Sequence, residues 1–260
     1  MIGAARLRRL ARLAAAAAFL ALGPAGPAAA EPPLVAVAAN FAGAAERISA
    51  AFTERTGFEI VLTTGSTGKL YAQIRHGAPY DAMLSADAAT PERLEAEGLA
   101  IPGSRFTYAV GRLALWSAAP RRLENGAEAA LTDPATRKVA IANPKLAPYG
   151  AAAEDALRAM GLWERLQPKI VMGENIGQTF AMVESGAADF GFVAASAVSA
   201  PGRAPRGSLF VVPADAYAPI RQDAALLLPG AEDDAAKAFL AFLRGAEGRA
   251  IAASFGYGVD

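Results

Sequence analysis

The chain has 260 residues, with 25 Lys and Arg, 25 Asp and Glu, one His and no Cys. The lack of cysteine excludes a disulfide framework, a thiolate nucleophile and cysteine-ligated metal sites, and a single histidine excludes a histidine-rich one. Apolar residues make up 53% and charged residues 19%, which predicts a folded core, and a formal net charge of zero argues against a general nucleic-acid binder.

Residues 1–30 have the pattern of a secretory signal peptide. Four arginines between Arg6 and Arg12 form a basic start, Leu13–Leu22 is an apolar run, and three alanines precede Glu31. The apolar run is shorter than the roughly 20 residues that a membrane-spanning helix needs. We therefore expect export and cleavage near Ala30. Without this segment the charge is 21 − 25 = −4.

From Leu34 onward, short apolar runs alternate with segments of helical period. The pattern predicts strands at residues 34–38, 58–62 and 80–84, each followed by a helix, and then a β-rich passage at 106–116. Further strands are predicted at 139–142, 170–172, 190–193 and 224–228, helices at 151–160, 176–183, 234–243 and 247–255, and a surface loop at 200–207. This alternation predicts an α/β fold of mostly parallel sheets flanked by helices.

Four predicted strand-to-helix junctions place small or donor-bearing residues where a helix begins. They are Ala38–Phe41, Thr64–Gly68, Ala147–Gly150 and Gly173–Gly177. Free backbone N–H groups and the positive end of each helix dipole point outward there, at the sheet edge where α/β proteins bind ligands. The junctions therefore indicate an anion-binding site.

A simpler alternative applies to each junction taken singly. Asn40, Ser66, Thr67 and Asn175 are ordinary helix-capping residues, and Gln178 three positions after Asn175 is typical of a capping box. The residue pattern leaves both interpretations open.

The chain contains none of the common catalytic motifs, neither G-x-S-x-G nor a phosphate-binding G-x-x-x-x-G-K-[ST] loop nor H-E-x-x-H. A secreted hydrolase that uses Ser66 or Thr67 with Asp81 or Lys69 remains a distant alternative, since no motif supplies its base. We expect no catalytic activity.

Six segments in order carry a family resemblance: LVAVAANF, TTGSTGKLYAQIRHGAPYDAMLSAD, RFTYAVGRLALWS, NPKLAPYGAAAEDAL, ENIGQTFAMVESGAADFGFV and FLRGAEGRAIAASFGYG. Together they resemble the periplasmic molybdate-binding proteins of bacterial ABC importers. The resemblance implies a two-lobed type II periplasmic binding fold with the ligand in the cleft between the lobes. The first lobe would comprise residues 31–111 plus 223–260, and the second residues 112–222.

The resemblance also implies a function and a site. The chain would be a periplasmic, monomeric receptor that delivers molybdate or tungstate to the membrane permease of an ABC importer, without a cofactor, a metal cation or a nucleic-acid partner. The implied oxyanion ligands are Asn40, Ser66, Thr67, Tyr149 and the backbone N–H of Ile176.

The sequence departs from the family at two positions. Asn40 stands where other members carry a serine, which keeps a donor but changes its reach. Ala194 stands after the Gly191–Val193 strand, where some members carry a tyrosine, so that donor is missing and Tyr149 would replace it in part. A receptor for sulfate or another tetrahedral oxyanion therefore remains an alternative.

Overall fold

The computed structural model describes residues 31–199, 201–202 and 207–259. The predicted signal peptide at 1–30 and most of the predicted loop at 200–207 lie outside the described residues. Among the residues described, no helix combines the length and the apolar character that crossing a bilayer requires.

Ten strands and ten α-helices are described. The strands are β1 (Leu34–Ala38), β2 (Val61–Gly65), β3 (Ala82–Leu84), β4 (Phe106–Gly111), β5 (Leu113–Ser117), β6 (Val139–Ala142), β7 (Ile170–Gly173), β8 (Phe190–Ala194), β9 (Ser208–Val211) and β10 (Ile220–Leu226). The helices are α1 (Ala42–Thr56), α2 (Thr67–Arg75), α3 (Ala89–Ala96), α4 (Ala127–Thr132), α5 (Pro148–Ala159), α6 (Trp163–Leu166), α7 (Ile176–Glu184), α8 (Ala195–Val198), α9 (Asp234–Arg244) and α10 (Ala246–Ser254). A 3-10 turn at Ala39–Phe41 links β1 to α1.

The strands form two five-stranded sheets of the same topology. The first has the order β2-β1-β3-β10-β4 and the second β7-β6-β8-β5-β9. In each sheet three strands pair in parallel, while β10 is antiparallel to both β3 and β4, and β5 is antiparallel to both β8 and β9. The predicted α/β fold is thus confirmed, but the sheets are mixed: one strand of each sheet runs against the other four.

Two short crossings connect the sheets. β4 ends at Gly111 in the first sheet and β5 begins at Leu113 in the second, so the predicted β-rich passage at 106–116 divides between them. The chain returns between Val211 and Ile220. Gly111, at the start of the first crossing, pairs with Ile220, at the end of the second. The two crossings therefore lie side by side.

Each sheet is covered by helices that bury apolar faces. Phe41, Phe52 and Phe239 are fully buried against the first sheet, and Phe52 packs edge-on against Phe239 at 5.5 Å between ring centres. Helix α1 ends at Thr56, because Gly57 adopts the left-handed conformation (φ 78°) that closes a helix. The apolar clusters under the helices hold them against their sheets.

Candidate functional site

Four helix starts, from equivalent positions in the two sheets, meet at one small cavity. Its volume is about 10 Å³. The junctions after β1 and β2 contribute from the first sheet and those after β6 and β7 from the second. All five residues predicted as ligands line this cavity: Asn40, Ser66, Thr67, Tyr149 and Ile176.

Ser66 and Thr67 lie between the end of β2 and the start of α2, and both are 3% exposed. The backbone of Ser66 is extended (φ −72°, ψ 147°), as at a helix N-cap, but its side chain makes no capping hydrogen bond. Among the described residues, the Oγ of Ser66 is the buried side-chain polar atom without a hydrogen-bond partner. Thr67 Oγ1 accepts from the Ala86 N–H at 3.1 Å, which leaves its hydroxyl hydrogen for another acceptor.

Asn40 lines the cavity from the 3-10 turn after β1. Its Nδ2 donates to Gln222 Oε1 at 2.8 Å and to Tyr257 Oη at 3.3 Å, and Tyr257 Oη in turn donates to the Asn40 carbonyl at 2.6 Å. The two amide hydrogens are therefore directed at these side chains. As a ligand for an anion, Asn40 stays a prediction.

Tyr149 is the second residue of α5, after Pro148 at the first helical position. Its side chain is 1% exposed, and its Oη accepts a hydrogen bond from Gln222 Nε2 at 3.5 Å. Burial raises the pKa of Tyr149 well above its usual value of 10, so the phenol is neutral and keeps its hydrogen.

Ile176 is the first residue of α7, so its backbone N–H has no acceptor within the helix. Asn175 before it is the helix cap: its Oδ1 accepts from the Gln178 N–H at 2.9 Å, and Gln178 Oε1 accepts from the Glu174 N–H. For Asn175 and Gln178 the capping interpretation is therefore correct.

The lining of the cavity is neutral. It consists of alanine, glycine, proline, isoleucine and uncharged polar residues, so its electrostatic character comes from the positive ends of α2, α5 and α7. Within the described part of the chain, no group of three His, Cys, Asp or Glu residues could hold a metal ion.

The residues of the alternative hydrolase are not assembled. Asp81 accepts from the Leu34 N–H at 2.7 Å, at the amino end of β1, whereas Ser66 follows the carboxyl end of β2, which runs parallel to it. Lys69 Nζ lies 3.5 Å from Glu174 Oε2. Neither Asp81 nor Lys69 is thus placed as a general base for Ser66 or Thr67.

Sequence reasoning missed Gln222 and Tyr257, which hold Asn40. Gln222 lies 182 positions from Asn40 and Tyr257 lies 217 positions from it. The available signal was a polar pair, Gln222–Asp223, directly before the apolar run 224–228.

Two mixed sheets with helix starts converging on a small, neutral cavity define a solute-binding protein of the periplasmic type. The family model described as bacterial extracellular solute-binding protein matches residues 33–258. The chain belongs to this family, whose members are receptors and not enzymes.

Individual relatives agree with this assignment. The chain is 48% identical over 230 residues to the molybdate-binding protein ModA of Rhodobacter capsulatus, covering 88% of this chain and 89% of that protein. It is 45% identical over 226 residues to ModA of Azotobacter vinelandii, covering 87% and 89%. The solved structure of the Azotobacter vinelandii periplasmic molybdate-binding protein superposes with a TM-score of 0.84 at 40% identity, covering 88% of this chain and 99% of that one. The family resemblance seen in the sequence is confirmed.

Proposed function

We propose that this protein is an exported, non-enzymatic receptor that binds molybdate or tungstate and delivers it to the permease of an ABC importer. The observation that carries the proposal is the convergence of four helix starts on one neutral cavity, with the buried Ser66 hydroxyl left without a partner. The two ModA relatives are molybdate-binding proteins by name, which supports this choice of ligand.

The chemistry of the cavity suits a tetrahedral dianion. Burying a charged oxyanion is costly unless its oxygens accept hydrogen bonds. The hydroxyls of Ser66 and Thr67, the phenol of Tyr149 and the free N–H groups at the starts of α2, α5 and α7 would supply such bonds without a counter-charge. A cavity that offers donors disfavours an anion that keeps a proton, because that proton would face another donor.

Contacts between elements of the two sheets close the cavity. The Gly68 N–H in α2 donates to the Leu146 carbonyl at 2.9 Å, Lys69 pairs with Glu174, and Ser196 Oγ donates to Tyr257 Oη at 2.9 Å. We infer that the two sheets form the cores of two lobes that close over the ligand in the manner of hinge-bending receptors. The boundaries 31–111 plus 223–260 and 112–222 stay a prediction, and β10 already begins at Ile220.

Location and partners belong to the same proposal. The signal-peptide pattern at 1–30 and the similarity to a periplasmic protein support a periplasmic location. We propose that the receptor acts as a monomer, without a cofactor or a nucleic-acid partner, and that its macromolecular partner is the membrane permease.

Thermal unfolding of the purified protein at neutral pH tests this function, with molybdate, tungstate, sulfate and phosphate added separately. A ligand at a hundred times its Kd stabilises the folded state by about 2.7 kcal/mol, which raises the Tm of a chain this size by roughly 5–10 °C. We expect such a rise with molybdate and tungstate and none with phosphate. A rise with sulfate alone would reassign the ligand, and no rise with any of the four would contradict the anion site.

A further inference from the structure

Gln222 is a fully buried amide at an irregular point of the first sheet. In the pairing of β10 with β4, Gln222 lies opposite Ala109 and the next residue, Asp223, lies opposite Thr107. Tyr108 is therefore an extra residue on β4, which makes a β-bulge. Bulges redirect side chains and are frequent beside functional sites. Here Tyr108 Oη lies 3.1 Å from Gln222 Oε1.

The amide of Gln222 contacts ligand candidates from both sheets. Its Oε1 accepts from Asn40 Nδ2 at 2.8 Å, and its Nε2 donates to Tyr149 Oη at 3.5 Å. Asn40 follows β1 of the first sheet, whereas Tyr149 lies in α5, which follows β6 of the second. One side chain thus connects the two halves of the cavity.

Gly111 makes this connection possible. It is the last residue of β4, directly before the crossing to the second sheet. A Cβ atom at this position would lie well inside van der Waals distance of both Tyr149 Oη and Gln222 Nε2. Only a glycine leaves the room in which the Tyr149 hydroxyl and the Gln222 amide meet.

We propose that Gln222 is a positioning residue of the oxyanion site, which holds Asn40 and Tyr149 at a fixed separation and so sets the selectivity for molybdate over sulfate. The inference rests on the proposed function. Molybdate and sulfate carry the same charge and differ in size, so selectivity between them depends on the dimensions of the cavity. A side chain that fixes Asn40 in the lining of one half and Tyr149 in the lining of the other fixes those dimensions.

The first test is Gln222→Met, which keeps the length of the side chain and removes its hydrogen bonds. Calorimetric titrations with molybdate and with sulfate, together with the Tm of the unliganded protein, give the readout. We expect molybdate affinity to fall about tenfold and the ratio of molybdate to sulfate affinity to fall with it. An unchanged ratio would overturn the inference.

Thr107→Val is the matched control. Thr107 lies beside the same bulge, but its hydroxyl donates to Asp223 Oδ1 at 2.7 Å and accepts from Arg221 Nη2 at 3.1 Å. We expect this variant to lower the Tm and to leave both anion affinities unchanged. If it changes the affinity ratio as Gln222→Met does, the effect belongs to the bulge as a whole and the role assigned to Gln222 is wrong.

A double-mutant cycle with Tyr149→Phe distinguishes positioning from general destabilisation. If Gln222 acts through Tyr149, the loss of affinity in the double variant is smaller than the product of the two single losses. Losses that simply multiply would contradict the coupling.

Two further results separate the possible failures. If Gln222→Met does not fold, Gln222→Glu keeps the size of the side chain and the acceptor for Asn40, and it replaces the amide N–H group that faces Tyr149 by an oxygen. Any charge on this carboxyl acts on both dianions alike, so the affinity ratio remains the readout. Wild-type protein that binds no molybdate would contradict the proposed function. Wild-type binding with a variant of unchanged selectivity would overturn only the role of Gln222.

Discussion

At the scale of single residues, Ser66 has opposite effects on folding and on binding. A buried hydroxyl without a partner destabilises the unliganded protein, whereas the same hydroxyl stabilises a complex in which an anion oxygen accepts its hydrogen. We expect Ser66→Ala to keep or raise the unliganded Tm and to weaken molybdate binding by about 1–3 kcal/mol. Thermal unfolding and calorimetric titration measure the two quantities independently.

Thr67→Val is the comparison for Ser66→Ala. The Thr67 hydroxyl already accepts from the Ala86 N–H, so its removal leaves a buried donor unpaired. This variant therefore lowers both the Tm and the affinity. If the Ser66→Ala variant binds molybdate with wild-type affinity, the Ser66 hydroxyl does not bind the anion.

The candidate residues at helix starts could be predicted from the sequence, because a junction of strand and helix is visible within about five neighbouring positions. The sequence does not supply Gln222, Tyr108 or Tyr257. Gln222 and Tyr108 meet at a bulge, and Tyr257 reaches Asn40 from the C-terminal segment; neither arrangement leaves a periodic pattern in the sequence.

At the scale of elements, helices are predicted more accurately than edge strands. Predicted strand 58–62 lies three residues before β2 (Val61–Gly65), since Phe58 and Val61 are 47% and 46% exposed and their apolar character does not mark a buried run. Pairing with β1 sets the register of β2 instead. Predicted strand 224–228 likewise misses the start of β10, where Arg221 to Asp223 interrupt the apolar run.

The position of α5 depends on close packing at Gly150. A Cβ atom there would overlap the backbone carbonyl of Ala142 at the end of β6. We expect Gly150→Ala to lower the free energy of unfolding by about 2–4 kcal/mol and to weaken anion binding, because α5 must move away from the sheet. Urea unfolding and titration with molybdate measure both effects.

Gly43→Ala is the control for this prediction. Gly43 also lies in the first turn of a helix, but it is exposed, and the nearest atom to an added Cβ would be Phe255 Cε1 at 3.4 Å. Alanine is the better helix former, so this variant gains about 0.5–1 kcal/mol. Equal effects of the two substitutions would mean that close packing at Gly150 does not position α5.

At the scale of the whole molecule, the division into two sheets is not visible in the residue pattern. Only one residue, Arg112, separates β4 from β5, and apolar periodicity runs through the crossing without a break. The family resemblance supplied the two-lobed arrangement. Buried hydroxyl and amide groups contribute to the contact between the two sheets, and one of them, the Tyr257 phenol, titrates and so links this contact to pH.

Tyr257 connects the two sheets through this set of groups. Its hydroxyl accepts from Ser196 in α8 and donates to the Asn40 carbonyl. Burial, which outweighs the opposing hydrogen bonds, raises the pKa of Tyr257 from 10 to about 12. In the unfolded chain the phenol therefore loses its proton first as the pH rises, and the folded state loses stability between about pH 10 and pH 12. A shift of two units corresponds to about 2–3 kcal/mol.

Urea unfolding at pH 8, 9.5 and 11 tests this dependence, with Tyr257→Phe as the comparison. We expect the wild-type free energy of unfolding to fall steeply above pH 10. The Tyr257→Phe variant starts lower at pH 8, because it lacks the bond from Ser196, but it declines less with pH. The remaining decline contains the contributions of Tyr108 and Tyr149, whose pKa values burial also raises. Parallel slopes for the two proteins would mean that Tyr257 is not protected from solvent in the folded state, and that the contact between Ser196 and Tyr257 does not close the cavity.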